Sequence, residues 1–204
     1  MAIFSFRTIS GRAEGFYKEK GSKFIAYAIP VEKEEQIKEE LDKLKKEYFD
    51  ARHHCYAWML GPDKKRFRAA DDGEPAHSAG DPILGQIRSK EITNVLVVVV
   101  RYFGGTKLGV GGLITAYKTA ANDALDKAVI IEKDIHQSIT IAFDYIATPE
   151  IMKLIKDFDL TIKEQSFEIR CTMILEYKLI DESRLLEKIR LLSATGTSIE
   201  VAPQ

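Results

Sequence analysis

Between Val31 and Tyr48 the apolar residues Ile37, Leu41, Leu44 and Tyr48 recur at steps of four, three and four among Glu and Lys. That spacing lays one apolar stripe along a helix whose other faces are solvated. Ser22 to Ile29 before it and His53 to Leu60 after it read as strands, the second ended by the turn Gly61-Pro62-Asp63. Ile92 to Val100 carries β-branched residues at both parities of the strand period, which predicts a strand buried on both faces. Between these strands, Arg68 to Gln86 is dense in turn formers and holds no period. The expectation is a long ordered loop with a short helix at its end, a length at which loops usually carry function. After Val100 comes Arg101-Tyr-Phe-Gly-Gly-Thr-Lys-Leu-Gly-Val-Gly-Gly112, and then Leu113 to Ala128, where Leu113, Tyr117, Ala120, Ala124 and Leu125 share one broad apolar face. Strand, glycine loop and helix follow one another, with the helix expected to start near Gly112.

The remainder, from His136 on, alternates between the two periods: strand (137–145), helix (148–158), strand (160–166), strand (168–177), helix (181–192) and strand (196–202). Thr148 with Pro149 behind it, and Asp181, are read as the N-caps of the two helices. A βαββαβ order in this length predicts a ferredoxin-like sandwich. With 204 residues against about 100–150 for a common single domain, two domains are expected. The boundary is placed near residues 131 to 137, giving domains 1–133 and 134–204 in an α+β chain.

Composition narrows the class. At 45% hydrophobic and 30% charged residues the chain can bury a core and keep a polar surface. Its longest aliphatic run, Val95 to Val100, is far below the ~18 residues of a membrane span, and no signal-like segment opens the chain. Cys55 and Cys171 fall one in each half, which is no disulfide framework, so a cytoplasmic location is expected. The net charge of −1 hides a split: residues 1–133 hold 22 Lys/Arg against 19 Asp/Glu, and residues 134–204 hold 8 against 12. The acidic Val31 to Asp50 segment accounts for 5 and 8 of the first set, leaving 17 against 11 elsewhere in that half, a basic surface compatible with a polyanion.

Three constellations invite chemistry. Gly104, Gly105, Gly109, Gly111 and Gly112 lie between a buried strand and a helix start, where backbone N–H groups and the positive dipole end favour an anion. Arg101, Tyr102 and Lys107 stand beside them. Neither nucleotide fingerprint fits: Gly104 and Gly109 have Walker spacing, but Val110-Gly111 stands where Lys-Ser/Thr is needed, and Ile114 breaks the dinucleotide pattern. Two readings stay open, an anion site and glycines that only permit tight packing. Asp71, Asp72, Glu74 and His77 are read as support for their loop, Asp-Asp-Gly being a turn whose carboxylates can cap backbone N–H groups. In His53-His54-Cys55 the strand period puts His53 and Cys55 on one face and His54 on the other, so the triplet cannot chelate as a unit. No metal, cofactor or catalytic residue is assigned. Tyr56, Trp58, Tyr102 and Phe103 are either core or stacking surfaces for bases.

Taken together, Gly21-Ser-Lys-Phe-Ile-Ala26, Ala51-Arg-His-His-Cys-Tyr-Ala57, Asp71-Asp-Gly-Glu-Pro75, Ala79-Gly-Asp-Pro-Ile-Leu84 and Val99-Val-Arg-Tyr-Phe-Gly-Gly-Thr-Lys-Leu-Gly-Val-Gly-Gly-Leu113 resemble the IMPACT/YigZ family in order and spacing. The resemblance implies a first domain with the left-handed βαβ fold of domain four of elongation factor G, shared with ribosomal proteins and kinases of the GHMP type. For the bacterial branch it implies a ferredoxin-like second domain. Eukaryotic members of the family regulate translation by competing for the activator of an initiation-factor kinase. What transfers is a connection to RNA, the ribosome or a translation factor. The competing expectation is an enzyme acting on a phosphorylated small molecule by analogy with those kinases, its glycine loop holding phosphate and Asp71, Asp72 and Glu74 holding Mg²⁺. A peptidase is not supported, since neither HExxH nor GxSxG occurs. The sequence leaves the oligomeric state open.

Because the βαββαβ order of the tail is complete in itself, residues 134–204 expressed alone should melt cooperatively by circular dichroism. A featureless melt would mean that the two halves share one core.

Overall fold

The computed structural model describes residues 2–201, and these divide into two compact units, one of Ser5–Lys133 and one of residues 2–4 with 134–201.

In the first unit the strands β1 (Ser5–Ile9), β2 (Ala13–Glu19) and β3 (Ser22–Pro30) precede helix α1 (Glu34–Glu47). There follow β4 (His53–Leu60), β5 (Arg66–Ala70), α2 (Gly80–Ser89), β6 (Val95–Tyr102), α3 (Gly109–Lys127) and β7 (Ile130–Asp134). Five strands form one sheet in the order β2-β3-β6-β4-β5 with every neighbouring pair antiparallel, while β1 and β7 pair separately. The central strand β6 explains the layering. Val95, Val97 and Val99 join Phe24, Ala26 and Ala57 under α2 and α3, whereas Leu96, Val98 and Val100 join Tyr27, Ile29 and Trp58 under α1. Both faces are therefore buried, as the β-branched run predicts. Burying a valine-sized side chain contributes about 1.5–3 kcal/mol relative to exposure, so this strand is the axis of two cores. Alanines at positions 116, 120, 121 and 124 of α3, all fully buried, let that helix lie close to the sheet.

Helix α1 presents Ile37 and Leu44 to the sheet, in line with its stripe. At its start the Gln36 side-chain oxygen accepts the N–H groups of Glu32 (2.7 Å) and Lys33 (3.3 Å). Glu34 and Glu35 in the first turn and Lys45 and Lys46 in the last suit the helix dipole.

Several elements differ from what the periods along the chain predict. The short helix expected at the end of Arg68 to Gln86 is α2, but the loop before it is shorter than expected: β5 takes Arg66–Ala70, leaving residues 71–79 irregular. β5 is an edge strand paired only to β4, and the alternation in Arg66-Phe-Arg-Ala69 spans only four residues before the turn formers that follow. Helix α3 begins at Gly109, one turn before the expected start near Gly112, and β6 runs on to Tyr102. Strands β1, β2 and β7 carry no strong period and went unread.

The second unit contains β8 (His136–Phe143), α4 (Thr148–Asp157), β9 (Thr161–Phe167), β10 (Cys171–Lys178), α5 (Glu182–Ala194) and β11 (Ile199–Val201). Its strands lie in the order β11-β8-β10-β9, every pair antiparallel. Ile139, Ile141, Met173 and Leu175 on one sheet face meet Ile151 and Leu154 of α4 and Leu185 and Ile189 of α5. Thr148 does not cap α4. Its hydroxyl donates to the Tyr145 carbonyl at 2.5 Å, and Ala147 holds the cap position. Asp181 does hold the cap position of α5, but its carboxylate accepts from Arg184 at 3.2 Å instead of from the backbone. Among the described residues no helix is long and apolar enough to cross a membrane.

The β2–β3 turn and the segment after β6 cross in backbone contact. Gly21 adopts φ +82°, and a Cβ added at Gly104 would sit 1.9 Å from the Gly21 carbonyl carbon and 2.1 Å from the Ser22 nitrogen. The Gly104 N–H donates to Ser22 Oγ at 3.1 Å. No rotamer change relieves a clash with backbone. Gly104→Ala should lower the urea midpoint by an amount equivalent to about 1–3 kcal/mol. Gly111→Ala, placed in open space on a helix, should be neutral or stabilising by up to about 1 kcal/mol. Equal effects at the two positions would contradict this packing account.

Candidate functional site

Residues 71–79 are organised by their own carboxylates. Asp71 Oδ1 accepts the N–H groups of Ala79 (2.9 Å) and Gly80 (2.8 Å), and Oδ2 accepts that of His77 (2.9 Å), which caps the start of α2. Burial by itself would raise the Asp71 pKa, but the N–H groups of Gly80, His77 and Ala79 prevail and hold it below the ordinary carboxylate value. Asp72, at φ +42°, accepts the His54 N–H at 2.6 Å, and its carbonyl faces His53 Nδ1 at 2.8 Å. His77, also at positive φ, holds Asp81 at 2.6 Å, a contact that raises its pKa. Two of the loop's carboxylates are thus consumed by backbone donors.

Glu74 turns inward. Its Oε1 accepts from Arg101 Nη1 at 2.6 Å and from the Tyr117 hydroxyl at 2.8 Å, with the Glu74 and Arg101 side chains only 4% and 7% exposed. Cys55 Sγ lies 3.2 Å from the Tyr117 hydroxyl, and burial pushes both of these groups far up, so they stay protonated. The register explains the meeting: Phe24, Arg101 and His53 stand level on β3, β6 and β4. The Arg101 guanidinium lies over the rings of Phe24 (5.5 Å) and Phe103 (5.7 Å), and its buried Nε has no hydrogen-bond partner among the described residues.

Above this pair opens a cleft of about 490 Å³, walled by Arg52, His53, Pro75, Phe103, Lys107 and Val110, with Leu108, Gly109 and Leu113 completing the side toward α3. The start of α3 faces it with no side-chain cap and no acidic residue in the first turn. Gly105 (φ +88°) and Gly109 (φ +73°) need glycine for their backbone conformation. Gly111 is different, because a Cβ there would meet nothing within 4 Å. Gly112 packs against Leu108.

The cleft therefore gathers Arg101, Lys107 and Gly109 from the residues read in sequence, with Glu74 beneath. Gly104 is taken up by the hairpin contact. Tyr102 does not join them: strand alternation sends it to the other sheet face, where its hydroxyl donates to Asp50 at 2.7 Å and its pKa is pushed up to about 12 by that bond. Arg52, Pro75 and Val110 were missed. They stood inside the quoted motifs, but nothing in their local pattern says that three separate segments converge. Among the described residues no three His, Cys, Asp or Glu side chains come together as metal ligands.

The description "Impact N-terminal domain" matches residues 20–125, which include every residue of this cleft. The chain belongs to the IMPACT family. It is 31% identical over 162 residues to the IMPACT family member YvyE of Bacillus subtilis, an overlap of 79% of this chain and 75% of that one. With an IMPACT family member of Haemophilus influenzae it shares 35% identity over 161 residues, 76% of this chain and 77% of the relative. A crystal structure described as that of a hypothetical protein is 27% identical and aligns over 100% of this chain and 98% of its own with a TM-score of 0.77. A structure described as the two-domain translational regulator Yih1 is 29% identical over 59% of this chain and 48% of its own, with a TM-score of 0.38.

Removing one partner of a buried ion pair leaves the other charge uncompensated. Glu74→Ala should destabilise the protein by about 3–5 kcal/mol, while Glu74→Met combined with Arg101→Met should recover much of the loss. A loss below about 1 kcal/mol in chemical denaturation of the single variant would show that the pair does not support the loop.

Proposed function

We propose that this IMPACT family member is a translation-associated binding protein and not an enzyme, and that its cleft holds a phosphate group of its partner. RNA, the ribosome or a translation factor is the partner class, and the cytoplasm the place of action. The observation that carries the reading is the balance of charge in the cleft. Its carboxylate, Glu74, is neutralised by Arg101, whereas Lys107 and Arg52 make no ion pair among the described residues and face the uncapped start of α3. An anion placed there meets backbone N–H donors and positive charge together. The role of Arg101 is then to floor the site and hold Glu74, with Lys107 as the direct contact. Gly105 and Gly109 shape the loop, and the bare Gly111 backbone leaves room for close approach, while Gly112 packs against Leu108.

The alternative, an enzyme on a phosphorylated small molecule, asks Asp71, Asp72 and Glu74 to hold Mg²⁺. Asp71 and Asp72 are occupied by backbone N–H groups and Glu74 by Arg101 and Tyr117. That engagement supports binding over turnover. We also propose that the chain divides at 133/134 into a left-handed βαβ domain resembling domain four of elongation factor G and a ferredoxin-like domain. The order β11-β8-β10-β9 supports the second assignment.

Phosphate contacts position a strand without reading its bases. Lys107→Ala should weaken binding of single-stranded RNA similarly across sequences and flatten the plot of log affinity against log salt by about 0.7. Unaltered affinity and slope in the folded variant would end the phosphate reading.

A further inference from the structure

The hairpin that crosses Gly104 carries an arrangement that folding alone does not favour. In the β2–β3 register Lys18 stands directly opposite Lys23, and Lys20 occupies the turn between them at φ +45°. Like charges directly opposed across antiparallel strands destabilise the pair. All three are exposed and make no ion pair among the described residues. Two acids of neighbouring positions hold other partners: Glu19, on the opposite face, accepts from the Tyr17 hydroxyl at 2.9 Å, and Asp50 accepts from Tyr102. Arg7, Arg12, Lys43, Lys65, Arg66 and Lys127 of this unit have carboxylate partners, while Lys33, Lys38, Lys45, Lys46, Arg68 and Lys118 share the lack of one among the described residues; what sets the hairpin apart is that two of its lysines face each other across the strands.

Aromatic rings interleave with these lysines. Lys18 and Lys23 share the sheet face of the half-buried Tyr102, opposite the cleft and reached from it around the β2–β3 turn, and Phe16, 51% exposed, stands on that face two residues from Lys18. On the other side of the Gly21–Gly104 contact, Phe103 is 54% exposed at the cleft, close to Lys107. Cations unmatched by acids supply contacts for a chain of phosphates, and exposed rings supply stacking for bases that are not already stacked on one another. An A-form duplex offers no such bases, and a protein surface offers no chain of phosphates.

We infer that the partner of the cleft is a single-stranded RNA, whose backbone leaves the Lys107 site, passes over the β2–β3 turn along Lys20, Lys23 and Lys18, and stacks a base on Phe103. The inference rests on the phosphate reading of the cleft and adds the strand class and the path.

The test uses the full-length protein and a labelled RNA of about 12 nucleotides, within the site sizes of single-strand binders, titrated across salt as single strand and as duplex. The wild type should favour the single strand. Lys20→Ala with Lys23→Ala should flatten the log affinity against log salt plot by about 1.4, two contacts at about 0.7 each, with the melting temperature held or raised because the opposed charges are relieved. Phe103→Leu should weaken the single strand by about 5- to 150-fold and leave the slope in place. Lys153→Ala, in the other unit, should change neither affinity nor slope. If Lys107→Ala alters the slope but the hairpin variant does not, the path is wrong while the cleft stands. Equal or tighter binding of duplex overturns the strand class. A wild type that binds no RNA at any salt sinks both readings and points to a protein partner.

Discussion

The buried pair of Glu74 and Arg101 is the constraint around which the first unit's functional end is arranged. Taking two charges out of water is costly unless each finds good partners, and here the carboxylate receives the guanidinium and the Tyr117 hydroxyl on one oxygen. The pair ties the 71–79 loop to the end of β6 and to the middle of α3, three segments far apart in sequence. Without it the loop would have only its self-capping carboxylates, and the cleft would lose its floor. The pair also removes the negative charge that would otherwise oppose an anion above it.

Around this floor, rigidity comes from backbone. The contact of Gly104 with Gly21 and Ser22 locks the glycine loop to the β2–β3 turn. Asp71 locks the far wall by capping α2. What is left uncommitted is therefore narrow: the start of α3, the side chains of Lys107 and Arg52, and the ring of Phe103. A site held by elements that are themselves satisfied can meet a ligand without first reorganising, which lowers the cost of binding.

Much of the fold was legible along the chain. The stripe of Ile37, Leu41 and Leu44, the run from Val95 to Val100 and the alternating tail each showed a period that their burial bears out. β5 went unread because the alternation of Arg66-Phe-Arg-Ala69 is only four residues long and runs straight into turn formers, and its place was settled by pairing to β4 and by Ala69 against the core. Arg101, Lys107 and Gly109, which line one cleft, could be grouped in advance because one contiguous motif contains them. Tyr102, grouped with them in sequence, lies apart from the cleft, since a strand that continues through it turns neighbours to opposite faces.

The sequence by itself determined what is local and strongly periodic: the helices and the long apolar strands, which of their faces are apolar, and that glycines lead into a helix. Periodicity is a property of consecutive residues, so it survives without the fold. Only the tertiary structure decided that Glu74 and not Asp71 or Asp72 would take Arg101, that Gly104 would serve packing while Gly111 stands free, and that Lys18, Lys20 and Lys23 would come to rest beside the glycine loop. These depend on strand register and on backbone crossings between distant segments, where a shift of one residue exchanges the faces of a whole strand.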